Sequence, residues 1–430
     1  MSAISLIAVS SLALLGSQST KITLQEAIQL AEAHSTSLRI AQDAVNTAKA
    51  RLGEQGSRSL PHLAFAGSAS RYDDKTTVNF PGVGSVELLP DHQEQLGLVL
   101  AQDLDVSGGI GASISQAHLL LLSSRYAAEA ASQDQDLTTT EAYYNVLHAQ
   151  EAVQVASSSL DAYREQLRTT TKLYQGGTGQ KIDVDRSESQ VADAERELTT
   201  RQNDLDSARS TLNDLVGQPL DQPLSLAPIG AAPADATDTP RPALIAKALN
   251  RRPEALEASM EVAAAKKGIQ IARGANGPSA AISLSGYHYP TTSFQSPREN
   301  AGALTFTVSI PIFDGGLGRE QVNEARSLVD TANAQQDQTR RQIALQVQNA
   351  SLDVETARKR LDAAVVGAAS AEQARKLAEQ RYGAQVGLYL EVTDAQAALT
   401  AAQSAVNDAT YDLLTAEARL DHAVSEPIVH

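Results

Sequence analysis

The 430-residue chain contains no cysteine and no tryptophan, with only five phenylalanines and two methionines. Without cysteine there can be no disulfide, no thiolate metal site, no cysteine nucleophile and no lipid-modified N-terminal cysteine. Any membrane attachment must therefore come from the polypeptide itself. Large aromatics are scarce while Ala, Gln and Ser abound, so the apolar positions are mostly small. That suits long helices packed closely rather than a thick globular core.

Basic clusters are missing as well. The formal net charge is -16, and Arg251–Arg252 and Arg340–Arg341 are only pairs, which argues against a nucleic-acid partner. Catalytic signatures are equally absent. The eight histidines are scattered, with no H-E-x-x-H, and no G-x-S-x-G elbow occurs. The GGIG run at Gly108 and the GGLG run at Gly315 lack the Lys-Ser/Thr that would make them phosphate loops, and they read as turns between a strand and a helix. Neither a metal, a cofactor nor an enzymatic activity is expected.

The longest apolar run near the start, residues 4–15, is too short to span a bilayer as a helix but matches the core of a signal peptide. Residues 1–19 are read as that signal, with cleavage near Ser19, although no basic residue precedes Lys21.

What the sequence does have is an internal repeat, at an offset of about 208 to 217 residues. The stretch that starts at Tyr174 aligns without a gap with the stretch that starts at Tyr382. Gly179 meets Gly387 and Val184 meets Val392. Earlier in each half, the Gly108–Gly109 turn resembles that at Gly315–Gly316, and Pro61 pairs with Pro278. The implied organisation is a first repeat over 20–216, a linker rich in Pro, Ala and Asp over 217–242, a second repeat over 243–424 and a short tail, 425–430.

Hydrophobic period locates the elements inside each repeat. Val191, Ala194, Leu198, Arg201, Leu205, Ala208, Leu212 and Leu215 keep a 3-4 spacing, as do Leu399, Ala402, Val406, Ala409, Leu413, Ala416, Leu420 and Ala423. This is the seam of a coiled coil. Proline-free stretches over about 112–174 and 319–382 extend it, and a helix of about 60 residues would be ~90 Å long.

Upstream of these helices the period turns to two. Leu63, Phe65, Gly67 and Ala69 alternate with small or polar residues, then Leu96, Leu98 and Leu100. The second repeat gives Ile282 and Leu284, then Leu304, Phe306, Val308 and Ile310. Strands are expected at about 61–72, 93–105, 278–289 and 301–312, each long enough to cross a bilayer at a tilt. Long polar loops are expected at about 73–91 and 290–300. Four such strands cannot close a barrel, and an open sheet edge in lipid leaves backbone groups unpaired, so the chain is expected to oligomerise around a pore.

The duplicated strand and helix hairpins, the Pro, Gly-Gly and Tyr anchors and the turn sequences together resemble the TolC and OprM family of outer-membrane factors over nearly the whole chain after residue 19. The resemblance implies a fold that is mainly α with a β-barrel part. It implies a homotrimer whose twelve strands form one transmembrane barrel and whose helices form a periplasmic tunnel. It places the protein in the outer membrane of a Gram-negative bacterium, in contact with outer-membrane lipid and without a lipid anchor. There it would work with a periplasmic adaptor (membrane fusion protein) and an inner-membrane pump in tripartite efflux or type I secretion.

The same resemblance assigns roles to the turns at the tunnel tip. Val386, Gly387 and Leu388 match an adaptor-docking V-G-L motif, of which the first repeat keeps only Gly179. Glu391, where aspartate is usual, and Asp394 fall at the positions of an acidic pore constriction, with Asp183 and Asp185 as weaker candidates. A carboxylate ring would select cations. Heptads alone leave a rival open: a coiled-coil scaffold, or an adaptor, with no pore.

Overall fold

The computed structural model describes residues 21–82, 84–229, 239–290 and 298–427. The expected signal segment lies outside the described residues, as do the middle of the expected linker and most of the 290–300 loop. The chain is mainly helical and is built twice over. The first repeat runs α1 (Leu24–His34), α2 (Thr36–Ser57), β1 (His62–Arg71), β2 (Thr76–Phe80), β3 (Gly84–Leu89), β4 (His92–Leu104), α3 (Gly109–Gln175) and α4 (Lys181–Leu215). The second runs α5 (Arg241–Arg251), α6 (Pro253–Ala275), β5 (Ser279–His288), β6 (Asn300–Ser309), α7 (Leu317–Gly383) and α8 (Tyr389–Ala423). Corresponding helices match in length: 11 and 11 residues for α1 and α5, 67 and 67 for α3 and α7, 35 and 35 for α4 and α8.

The offset between repeats is 217 residues from Leu24 to Arg241 and 208 from Gly109 to Leu317. The difference arises in the strand-connecting loop. The long polar loop expected at 73–91 holds the antiparallel β2–β3 hairpin, with Val78 opposite Val86 and a register shift at Thr76/Thr77. Thr, Val, Asn and Phe alternate there over only five residues, too short and polar a run to stand out. The expected last strand also stops early, at Ser309, so that Ile310, one residue before Pro311, lies beyond it.

The chain divides into two compact units. One comprises α1, residues 131–175 of α3, α4, α5, residues 343–383 of α7 and α8. Its core gathers Leu24, Ile28, Tyr143, Tyr144, Leu212 and Leu414 with many alanines. Helix α1 starts at a capping box, in which the Thr23 hydroxyl accepts from the Glu26 N–H while the Glu26 carboxylate accepts from Thr23 N–H at 2.9 Å. The first part of the expected linker is packed rather than loose. Leu224 and Leu226 are buried, Ile22 bridges to Leu226, and the Tyr143 hydroxyl reaches the carbonyls of Ile22 (2.9 Å) and Ala227 (2.7 Å).

The other unit comprises 40–130 and 253–342 and contains both sheets. The larger is antiparallel in the order β1-β4-β5-β6, which leaves β1 and β6 each with an unpaired edge among the described residues. Its register sorts the side chains by period two. One face carries Leu63, Phe65, Leu98, Leu100, Ile282, Leu284, Leu304, Phe306 and Val308, all of them exposed. The other carries mostly small uncharged residues, among them Ser68, Ala101, Ser283, Ser285, Ala303, Thr305 and Thr307. At the strand ends, Asp105 accepts from the Ile110 and Gly111 amides to start α3, and Asp314 accepts from those of Gly316 and Gly318 to start α7. A Cβ on Gly274 would lie 2.5 Å from the Gly109 Cα, so α6 and the start of α3 touch backbone to backbone.

Candidate functional site

The two turns that the sequence singles out, between α3 and α4 and between α7 and α8, have the same backbone. In the first, Thr178 and Gly179 both donate to the Leu173 carbonyl; in the second, Val386 and Gly387 both donate to the Arg381 carbonyl. The motif glycine is required by space. A Cβ on Gly179 would meet Leu173 and Tyr174 backbone at 2.8–2.9 Å, and one on Gly387 would sit 2.9 Å from the Arg381 Cβ and 3.1 Å from Tyr382 N. Each turn also needs one left-handed residue. The first uses Gly177 (φ 76), whereas the second uses Gln385 (φ 61), which an L side chain adopts only at a cost.

Their surfaces differ. At the second turn Val386 is 70% exposed and Leu388 67%, with Leu390 also exposed beyond them. The equivalent positions of the first turn are Thr178, Gln180 and Ile182, so only Ile182 is apolar there. The V-G-L segment is thus an apolar knob, and the first turn is a largely polar counterpart.

The four acidic candidates do not form one cluster. Asp183 and Glu391 are equivalent in the duplication, both partly buried in the first turn of their helices. Glu391 lies 3.9 Å from the Arg381 guanidinium. Asp394, one turn further along α8, is exposed. Asp185 is exposed and bonded to Lys181 Nζ at 2.7 Å, which holds the lysine pKa above its ordinary value.

Beneath the turns lies a network that the heptad pattern did not reveal. The Tyr389 hydroxyl is 2.5 Å from Ser187 Oγ and donates to Gln190 Oε1 at 2.9 Å, and Ser187 Oγ is 3.1 Å from Thr170 Oγ1. Tyr389, Ser187 and Thr170 are all at most 4% exposed. Burial pushes the Tyr389 pKa up, so the hydroxyl stays a neutral donor. The Tyr382 ring packs edge-on to Tyr389 at 5.8 Å, whereas Tyr174, expected on the same seam, is 45% exposed. The available signal was Ser187, a small polar residue at a position where the seam calls for an apolar one. No group of three or more His, Cys, Asp or Glu side chains is placed to hold a metal among the described residues.

Comparison with known proteins follows the same lines. The family model described as outer membrane efflux protein matches residues 27–218 and 244–426, one segment in each repeat. Protein CyaE of Bordetella pertussis is 25% identical over 377 residues, covering 87% of this chain and 78% of its own. The pyoverdine export outer membrane protein OpmQ of Pseudomonas aeruginosa is 26% identical over 398 residues, 89% of this chain and 80% of its own. In fold, the chain is similar to the crystal structure of CusC, with a TM-score of 0.81 at 19% identity over 94% of this chain and 92% of that one.

Proposed function

The chain belongs to the outer membrane efflux protein family, and from that premise we propose that three copies close their sheets into one twelve-stranded barrel across the outer membrane of a Gram-negative bacterium. The helices of the three copies continue the bore as a periplasmic tunnel. The protein is then a conduit, not an enzyme, and serves as the outer-membrane component of a tripartite efflux or type I secretion system. Relatives named for pyoverdine export and for alkaline protease secretion support that range of cargo.

The observation that carries this reading is the four-stranded sheet, with its large apolar side chains exposed on one face and, among the described residues, two unpaired edges. In hydrocarbon an unpaired edge costs several kcal/mol per backbone group, and closure through further copies removes it. Because β1 and β6 run in opposite directions, β6 of one copy can continue antiparallel onto β1 of the next, and four strands per chain from three copies make twelve. The apolar face then meets lipid and the small polar face lines the bore. CusC is described as forming a transmembrane channel, which supports the same arrangement.

At the turn between α7 and α8, Val386, Gly387 and Leu388 present the docking surface for a periplasmic adaptor, itself coupled to an inner-membrane pump. Gly179 holds the first turn in the same backbone without the apolar side chains, so docking there is weaker. Glu391 and Asp394, in three copies, form the acidic constriction, with Asp183 and Asp185, which pairs with Lys181, as weaker contributors. A coiled-coil scaffold or adaptor would have no use for the exposed apolar sheet face. The test is reconstitution of the detergent-extracted protein into a planar bilayer. Discrete cation-selective openings from a trimer are expected, and a silent monomer would refute the reading.

A further inference from the structure

The apolar side chains of the large sheet do not end where β6 does. Beyond Ser309 the chain continues through Ile310, Ile312 and Phe313, and Ile312 is 98% exposed and Phe313 89%. Leu60 and Val106, at the same end of the sheet beside β1 and β4, are exposed as well. An exposed apolar band therefore reaches the level at which α2 and α6 lead into β1 and β5.

Just below that band the charge changes sign. Over residues 46–58 and 263–275 the ends of these two helices hold Lys49, Arg51, Arg58, Lys266, Lys267 and Arg273 against a single acid, Glu54, in a chain of net charge -16. The first half of α6 is the reverse, with Glu254, Glu257 and Glu261. Lys267 is partly buried and the other five bases are exposed. Their side-chain partners are neutral, Gln55 for Arg58 and Gln270 for Lys267, and none of the six forms an ion pair among the described residues. The carboxylates at this end are otherwise engaged or face elsewhere. Asp105 and Asp314 accept from the amides that start α3 and α7, Glu320 pairs with Arg319, and Asp103 lies on the small-residue face opposite Ala281.

Attraction to helix C-terminal carbonyls accounts for Arg58, just past α2, and for Arg273, but it fades beyond the last turn. Lys49, Arg51, Lys266 and Lys267 lie further in, about 9–14 Å from the helix ends. Arg51 and Arg58 are seven residues apart, as are Lys266 and Arg273, so each pair shares a helix face. The polar layer of a bilayer adds about 5–8 Å to each side of the hydrocarbon, and the long stems of Lys and Arg extend toward it. We propose that these six residues form a collar that binds the headgroups of anionic glycerophospholipids in the periplasmic leaflet, with Ile310, Ile312 and Phe313 against the acyl chains. Charge complementarity selects this occupant: unpaired cations next to exposed apolar side chains match a lipid that is anionic at one end and apolar at the other. The collar rests on the reading of the exposed sheet face as the one that meets lipid.

The test offers the full-length detergent-solubilised protein an equimolar mixture of phosphatidylglycerol and phosphatidylcholine with matched acyl chains, and reads the retained lipid by native mass spectrometry. The parent should retain phosphatidylglycerol in preference by at least about five-fold, the worth of one engaged cation. The variant carrying Arg51→Gln, Arg58→Gln, Lys266→Gln and Arg273→Gln should fall to near parity. Arg340→Gln with Arg341→Gln, which removes two exposed bases further along α7, should keep the preference. If the fourfold variant fails to assemble, Lys266→Gln with Arg273→Gln alone should still lower the ratio. Parity in the parent, an unchanged ratio in the collar variants, or an equal loss in the Arg340–Arg341 variant overturns the collar. A parent that retains neither lipid overturns the lipid-facing reading of the sheet itself.

Discussion

Leu304 sits mid-strand on β6, is 70% exposed and faces Leu284 across the ladder, while its neighbour Thr305 points to the opposite face beside Ser283. If the apolar face meets lipid, Leu304→Arg puts a guanidinium near the bilayer midplane, at a cost of about 2–4 kcal/mol per copy. In a trimer that sums to about 6–12 kcal/mol. Even the single-copy figure corresponds to roughly 30-fold to 1000-fold in an equilibrium constant. Thr305→Arg adds the same charge one residue away, on a face that would be wet, and should cost at most about 1 kcal/mol. The assay is the fraction of protein recovered as trimer in the outer-membrane fraction, separated by density and then by native gel. Leu304→Arg should be lost from that fraction while Thr305→Arg stays close to the parent. Equal recovery of the two, or loss of Thr305→Arg alone, would refute the assignment of the faces.

Other consequences are smaller and more local. Gln385→Gly should stabilise the second turn by about 1 kcal/mol by relieving its left-handed backbone, and Gly387→Ala should destabilise it by about 1–3 kcal/mol through the clash with Arg381 and Tyr382; amide exchange of the turn reads both. Tyr389→Phe leaves Ser187 and Gln190 short of a partner and should cost about 1–2 kcal/mol, with a double-mutant cycle against Ser187→Ala showing strong coupling. Glu391→Gln combined with Asp394→Asn should reduce cation selectivity and block by multivalent cations in single-channel recordings. Burial, reinforced by the charge of Glu32, raises the Asp136 pKa to about 6 from 3.8, and its Oδ1 is buried without a donor. The folded chain thus binds a proton that the unfolded chain releases, so this site's contribution to stability falls between pH 4 and 6. Asp136→Asn should stabilise the fold above pH 6 by on the order of 1–2 kcal/mol, read as a higher unfolding temperature, and the advantage should vanish below pH 4.

Much of the fold was written in periodicity. The change from period two at Leu63–Phe65 to a 3-4 spacing at Val191–Ala194 placed strands and helices, because burial on one face of a regular element leaves that trace. The β2–β3 hairpin left too little of one, since its strands are only five and six residues long and β2, exposed throughout, alternates between Thr, Val and Asn. At the turns, Gly387 stands out in sequence as part of a motif, but the reason only glycine fits there, contact with the preceding helical turn, needed coordinates. The Tyr389–Ser187 bond joins residues about 200 positions apart, and no local pattern encodes such a partner. Likewise Tyr174 and Tyr382 look equivalent in sequence, yet among the described residues it is Tyr382 that has an aromatic neighbour, Tyr389.

The small polar face of the large sheet has a further consequence. Its side chains are mainly Ser, Ala and Thr, so few of them reach far from the backbone, and most carry no charge to hold a passing solute. If the sheet closes into the proposed barrel, a bore lined this way would have its width set by the number of strands rather than by side-chain packing. Selection of cargo would then fall to residues other than those of this sheet.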